Sequence, residues 1–388
     1  MPVENSPIYP SLTATVMPFT GFLKGENLLF SHLPAVSDFC QTDGVYTRPV
    51  LAAYMGCNQL GCMPLGVRMG SECEKRLEAA FADAERRGLW LVPSDGAQKA
   101  ALRLRVARGE LVRPIPGCFA RAVAFRVMKQ RQKTLTTIKT LAALHPNWVF
   151  CSYSAAIAHG LWVANSLLRD IHVVSAGEYG RAGDRVIRHR NRLTAEDIAA
   201  CQGVRVTSLA RTLMDCLCGA EKRLSLPIVD AALHWGLIEQ FDLVRFLEER
   251  GQGKRGICRA RETLALADGR SGSALESFAR AVIIELGFQV PELQVEIYDP
   301  LEPDNLKYGD FGWCLDTPRP IIGEADGLEK YAKGANGVED AVRSMSRERR
   351  REAHINLTNA VVVRFSYEDV LDAAYFERLL EVAGVPRA

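Results

Sequence analysis

Nine residues near the C-terminus, Gly323 to Tyr331 (GEADGLEKY), hold three carboxylates, two glycines and one lysine. They follow the apolar run Pro320-Ile321-Ile322, which reads as a buried strand. The chain thus ends a strand on Glu324 and Asp326 and sets Lys330 one helical turn further on. Charged side chains are seldom buried without a partner or a metal. The cluster is therefore either a salt-bridged strand end or a site. Two acids upstream belong to the same question. Glu276 lies in ALESFARAVIIELGF, a helical pattern, and Asp310 in NLKYGDFGW, a strand. A turn at Asp316 to Pro320 joins that strand to the next. If it centres near Thr317, Asp310 and Glu324 face each other about 5 Å apart. Carboxylates that close repel unless a cation lies between them. Hard oxygen donors suit Mg²⁺ or Mn²⁺, and such an ion polarises a phosphodiester and lowers the pKa of a bound water. Lys330 beside it can offset charge developing on phosphate. Glu276, Asp310, Glu324 and Asp326 are the candidate ligands. Glu276, Asp310, Glu324 and Lys330 are the candidate catalytic set.

The elements that must carry these residues read helix, strand, strand, strand, helix, strand, helix from about residue 271 to the end. Leu275, Phe278, Val282 and Leu286 share one face of the first helix, and Glu276 and Arg280 fall together on a neighbouring face. FQVPELQVEIYDP and AVVVRFS read as strands, and YEDVLDAAYFERLLEVAG as one closing helix. A basic helix, Arg343 to Arg351, precedes the last strand. Its Arg347, Arg350 and Arg351 cannot all be buried, and Arg350 and Arg351 fit contacts to a nucleic-acid backbone. ADGRSGSAL, residues 267–275, is polar and rich in Gly and Ser, the best domain boundary in the chain.

A second region carries an electrostatic signal. From Lys99 to Lys139 there are eleven Lys or Arg and one acid, Glu110. SECEKRLEAAFADAERRG reads as a helix that Ser71 and Glu74 can cap and Gly88 ends. LWLV follows as a short strand, then a basic helix from Ala97 to Arg108. ELVR and GCFAR flank a Pro-Gly turn, a hairpin signature. Helix, strand, basic helix and hairpin in that order is the plan of a winged helix-turn-helix. The charge asymmetry is that of a binder of duplex DNA phosphates. Lys99, Arg103, Arg105, Arg108 and Arg113 are the candidate contacts.

Residues 134–268 are mixed. NWVFCSYSAAIAHGLW gives a strand and a helix, DIHVVS and RVIRHR alternate as strands, and TSLARTLMDCLC, LPIVDAALHWGLI and Gln240 to Glu249 are helices. Thr207 or Ser208 can cap the first of these helices. His159 reads as a satisfied core or helix-end histidine rather than a ligand. Arg211 and Asp215 form an i,i+4 pair. Nothing there demands chemistry.

The totals restrict the classes. The chain has 388 residues and a net charge of +2, so it is not a polycation. No apolar run reaches the length of a membrane span, and no basic n-region precedes an apolar core. A soluble cytoplasmic protein without membrane contact is expected. The 11 cysteines are scattered. Cys40, Cys57, Cys62 and Cys73 lack the paired spacing of a zinc site, so reduced thiols are expected.

The C-terminal arrangement resembles the PD-(D/E)xK nuclease fold. There an acid in the first helix, an Asp on one strand and a Glu-x-Lys on the next make the site. Glu276, Asp310 and Glu324 match the acids. Asp326 stands where that pattern has lysine, and Lys330 would replace it from the following turn. Across residues 75–375 the chain is similar to AbiEi-like proteins with a Vsr-like, restriction-endonuclease-like C-terminus. GELVRPIPGCFAR, SYSAAIAHGL, VRVTSLARTLMD, IVDAALHWGLI, SALES, IIGEADGLEKY, RERRREAHI and VVVRFSYEDV carry the resemblance. It implies an α+β/α/β multidomain chain: an extension at 1–72, a winged helix-turn-helix at 73–133, a mixed α/β middle at 134–268 and a restriction-endonuclease-like mixed sheet flanked by helices at 271–388. It implies double-stranded DNA as partner and Mg²⁺ or Mn²⁺ as cofactor. Two functions follow. One is a metal-dependent DNA endonuclease. The other is a non-enzymatic repressor or antitoxin of a type IV toxin–antitoxin-like system, with an inactive nuclease fold and a nucleotidyltransferase-type toxin as partner.

Overall fold

Leu77, Phe81 and Ala84 recur at helical spacing, and in the computed structural model they line the buried face of α1 (Glu72–Arg86). The structure describes residues 72–177, 180–182, 185–297, 301, 307–326 and 359–388. These residues form a mixed α+β protein, with twelve α-helices and four small sheets among them.

α2 (Gly96–Ala107) starts behind Asp95, whose carboxylate accepts the Gln98 N–H at 2.7 Å. That N-cap contributes about 1 kcal/mol. β1 (Leu111–Val112) and β2 (Ala120–Arg121) form an antiparallel hairpin after it. Leu91, Leu102, Leu111 and Phe119 close a small core with α1. The expected LWLV strand is reduced to a single bridge between Leu91 and Phe119. α3 (Ala122–Val127) and α4 (Gln130–Leu144) follow. The buried face of α4 includes Thr134, Thr137 and Thr140. Trp90 donates its indole N–H to Thr137 Oγ1 and its backbone N–H to Thr140 Oγ1, both at 2.9 Å.

The middle region is built on Phe150, which bridges Val173 and Val206. It comprises α5 (Ser152–Ala158), β3 (Ile171–Ser175), β4 (Gly180–Ala182), β5 (Val186–Arg190), β6 (Ile198–Cys201), β7 (Val204–Thr207), α6 (Leu209–Gly219), α7 (Lys222–His234), α8 (Gln240–Arg250) and α9 (Ile257–Ala265). The three-stranded sheet runs β3-β5-β4, with β3 and β5 parallel.

The Gly/Ser-rich segment before the C-terminal region is packed. Asp268 donates its N–H to Asp230 Oδ1 at 2.8 Å, the Gly269 carbonyl meets His234 Nδ1 at 3.0 Å, and Ser271 is fully buried. α7 packs against α10 (Ala274–Glu285). The spacing sets Arg280 beside Glu276, but its partner lies elsewhere. Its guanidinium donates to Asp230 at 2.6 Å, with both side chains buried.

The C-terminal sheet contains β8 (Glu292–Ile297), β9 (Lys307–Trp313), β10 (Ile321–Asp326) and β11 (Val361–Ser366), in the order β11-β10-β9-β8. β8-β9 and β9-β10 are antiparallel, and β10-β11 is parallel. One face packs Leu293, Phe311, Trp313, Ala325, Val363 and Phe365 with Phe278 and Val282 of α10. α11 (Tyr367–Leu371) and α12 (Ala373–Ala383) add Val370, Phe376 and Leu380. The closing helix is thus two helices, because Asp372 accepts the Tyr375 N–H at 3.0 Å and starts a new one. The other face carries Val295, Ile297, Ile322 and Val362. Glycine at 309 and 312 allows this closeness. A Cβ on Gly309 would lie 2.5 Å from Ile322 Cγ2, and one on Gly312 2.7 Å from Val295 Cγ1.

Among the described residues no helix is long and apolar enough to cross a membrane.

Candidate functional site

The pairing of β9 with β10 runs Trp313 with Ile321, Gly312 with Ile322 and Phe311 with Gly323. One step further, the same register sets Asp310 level with Glu324. The pairing stops there, and Asp310 supplies a replacement: its Oδ2 accepts the Ala325 N–H at 2.8 Å. A carboxylate does the work of a ladder carbonyl, and this pins Asp310 beside the residue that follows Glu324. Glu324 is buried, 3% exposed. On its other side the parallel register pairs it with Arg364 of β11. A carboxylate buried to that degree requires charge or hydrogen-bond compensation.

Asp326, two residues on, shares the face of Glu324 by the two-residue period of a strand. Its Oδ2 lies 3.5 Å from Arg364 Nη1. Ala325, Val363 and Phe365 point the opposite way, into the helices.

Glu276 sits in the first turn of α10, behind its N-cap Ser273. Its Oε2 accepts the Gly272 N–H at 2.7 Å and the Gln294 amide at 3.2 Å. Part of its role is therefore to hold the helix start, where negative charge is favoured. Gln294 has a φ of +51°, in the left-handed region that few side chains adopt. It lies between the paired positions Leu293–Phe311 and Val295–Gly309, level with Asp310. The link between Glu276 and the sheet acids thus runs through a strained Gln294. Sequence reasoning missed Gln294 and Arg364. For Arg364 the signal was an arginine inside the apolar run VVVRFS, and for Gln294 there was none.

Lys330, Arg350 and Arg351, and the helix from Arg343 to Arg351, lie outside the described residues, as do Cys40, Cys57 and Cys62. Among the described residues no group of three or more His, Cys, Asp or Glu side chains could hold a metal ion. A pair suffices for one kind of ion. Mg²⁺ keeps several waters and takes one or two carboxylates together with substrate phosphate. Asp310 and Glu324 fit that donor set.

On α2, Lys99 and Arg103 are exposed and one turn apart, while Leu102 is buried. Arg113, exposed, follows β1 in the hairpin loop. Arg105 turns inward instead, 3.4 Å from Glu74 of α1. Arg108 lies 4.0 Å from Glu110. Arg121 is bound by Glu78 at 2.8 Å and Glu85 at 3.0 Å. The acids of α1 therefore neutralise part of the basic segment and leave Lys99, Arg103 and Arg113 outward.

The middle region holds buried polar groups of its own. His159 ends α5 with Nε2 2.9 Å from the Thr207 carbonyl, the satisfied helix-end histidine expected. Arg211, 6% exposed, donates to Asp215 at 3.1 Å, and Lys254 reaches the same carboxylate at 3.4 Å. His172 Nδ1 and His189 Nε2 are 2.8 Å apart. Burial, and then His189, pull His172 down to about 4, while burial also lowers His189. Burial pushes the Cys118 thiol up to about 11 and raises Cys151 and Cys216. These thiols stay protonated near neutral pH and are poor nucleophiles.

No protein-family model matches this chain, and no solved structure matches it. Two proteins of Mycobacterium tuberculosis are similar to it: "Uncharacterized protein Rv2248" of strain H37Rv and "Uncharacterized protein MT2308" of strain CDC 1551. Each is 30% identical over 198 residues, covering 50% of this chain and 68% of the relative. Neither name carries an activity.

Proposed function

This chain belongs to the family of those two mycobacterial proteins, and we propose that it is a DNA-binding protein whose C-terminal region is a metal-dependent endonuclease. The observation that carries the proposal is the adjacency of Asp310 and Glu324 on neighbouring strands, with Asp310 held on the Ala325 N–H. The helix order and the four-stranded mixed sheet support a PD-(D/E)xK-like reading of residues 271–388. The order α1, α2 and hairpin, with bases outward, supports a winged helix at 73–133.

In this reading Asp310 and Glu324 would hold Mg²⁺ or Mn²⁺, which when bound would polarise a phosphodiester and acidify a water. Asp310 keeps its aim because its second task fixes it to β10. Glu276, through Gln294, steadies the start of α10 against β8. Lys330 is the proposed amine that faces the phosphate. Lys99, Arg103 and Arg113 bind the DNA backbone and bring the duplex to the chain.

Charge reversal tests the binding half. The double variant Lys99→Glu, Arg103→Glu is expected to bind a labelled duplex at least tenfold more weakly in fluorescence anisotropy. The slope of log affinity against log salt is expected to fall by about 2, since each neutralised phosphate contributes about 0.9. Unchanged affinity and slope would remove DNA binding from this helix.

One observation favours a second reading. Asp326 puts an acid where the resembled pattern has a lysine, which fits a nuclease fold that only scaffolds a winged-helix repressor or antitoxin. A reporter fused to the promoter of its own gene, repressed by the Asp310→Ala variant as fully as by the wild type, would support this second role.

A further inference from the structure

We infer that Arg364 is a phosphate-contacting cation of the C-terminal sheet. The inference rests on the DNA-processing reading above and names a residue for it.

The observation is a juxtaposition. β10 and β11 are parallel, and Glu324 pairs with Arg364 across them. Paired residues in a sheet project to the same face. Glu324, Asp326 and Arg364 therefore share the face opposite the core helices, whose packing instead takes Ala325, Val363 and Phe365. The guanidinium confirms that placement, with Nη1 3.5 Å from Asp326 Oδ2. Its side chain is 22% exposed, so it is partly open to solvent.

Chemistry then selects the ligand. A face that carries the partly exposed Asp326 beside the buried Glu324 repels a polyanion unless a cation stands among them. A guanidinium carries five N–H donors in a planar fork suited to carboxylate and phosphate. It can bind Asp326 with one part and a phosphate oxygen with another. A lysine amine is a point charge without that fork. Arg364 is also rigidly mounted, on a strand that is hydrogen-bonded along β10 from Ile321 to Asp326. A cation at this position meets the DNA backbone beside the Asp310–Glu324 pair.

A merely structural Arg364–Asp326 pair makes a different prediction, and opposite signs separate the two. The full chain is titrated into a fluorescent duplex in Ca²⁺ at several salt concentrations, with thermal melts confirming that each variant is folded. Arg364→Met keeps the apolar stem and is expected to weaken binding about tenfold and to reduce the salt slope by about 1. Asp326→Asn removes a negative charge from the same face and is expected to tighten binding. Arg364→Lys is expected to restore the slope but not the full affinity. If Arg364→Met and Asp326→Asn shift binding in the same direction, or Arg364→Met leaves the slope unchanged, the assignment is overturned. Plasmid nicking by the same preparations is read separately. Opposite shifts without nicking uphold Arg364 and overturn the catalytic reading. Nicking without opposite shifts does the reverse.

Discussion

Replacing Arg280 with methionine is expected to destabilise the folded chain by about 3–5 kcal/mol. Arg280 and Asp230 are both buried, with 2.6 Å between Nη2 and Oδ2. The other oxygen of Asp230 accepts the Asp268 N–H at 2.8 Å. Removing the arginine leaves a carboxylate in a low-dielectric interior with neutral donors only. The cost is that of an uncompensated charge rather than of a lost attraction. A double variant, Asp230→Asn with Arg280→Met, keeps an acceptor for Asp268 and removes both charges. It is expected to recover much of the loss. Urea denaturation of the two variants beside the wild type measures both effects. Arg280→Met within about 1 kcal/mol of the wild type would contradict this account, given how large such losses usually are. The pair also bears on the site. It joins α7 to α10, and α10 carries Glu276 one turn ahead of Arg280.

Acid is expected to weaken the middle region through His172. The ring is held neutral: burial lowers it to about 4, and the N···N contact with His189 needs one nitrogen to accept. Asp170 works against the shift, and the edge of Tyr153 packs against the ring. The sign follows from the unfolded chain, where histidine titrates near 6.5. Because the folded value is lower, the unfolded state binds the proton first. Stability is therefore fully present above about pH 6.5 and drains as pH falls toward 4. A depression from 6.5 to about 4 corresponds to roughly 3 kcal/mol at 1.36 kcal/mol per pKa unit. Denaturation midpoints followed from pH 7 to 4 measure the loss. A ring titration by NMR gives the same answer without a variant: a His172 midpoint near 6.5 would contradict the account.

Much of the C-terminal geometry was legible because it depends on short-range rules. A turn centred on Thr317 predicted the register, and the pairs Trp313–Ile321, Gly312–Ile322 and Phe311–Gly323 have that centre. Asn359 adopts a φ of +61°, a left-handed conformation that asparagine tolerates, while its amide donates to the Pro318 carbonyl at 3.0 Å. The helix stop at Gly88 holds, at a φ of +65°. What stayed hidden depends on partners far along the chain. α4 was not foreseen, since its buried face carries threonines, poor helix formers, whose hydroxyls are accounted for only once Trp90 lies against them. Arg280 read as falling beside Glu276 on one helix face because Asp230 is fifty residues away. Arg105 read as a DNA contact because nothing local shows that Glu74 of α1 faces it. Gln294 gave no sign, since a left-handed glutamine in a strand is set by tertiary packing.

Hydrolysis at the Asp310–Glu324 pair is read out by plasmid nicking. Supercoiled plasmid is incubated with the full chain in Mg²⁺, in Mn²⁺ and in EDTA, beside Asp310→Ala and Glu324→Gln variants that melt as the wild type does. Metal-dependent conversion to open circles is expected of the wild type, none in EDTA, and a loss of at least about a hundredfold in each variant, the scale on which removing one transition-state contact acts. Nicking that survives in EDTA or in Asp310→Ala, or a wild type that leaves the plasmid supercoiled in both metals, would contradict hydrolysis at this pair.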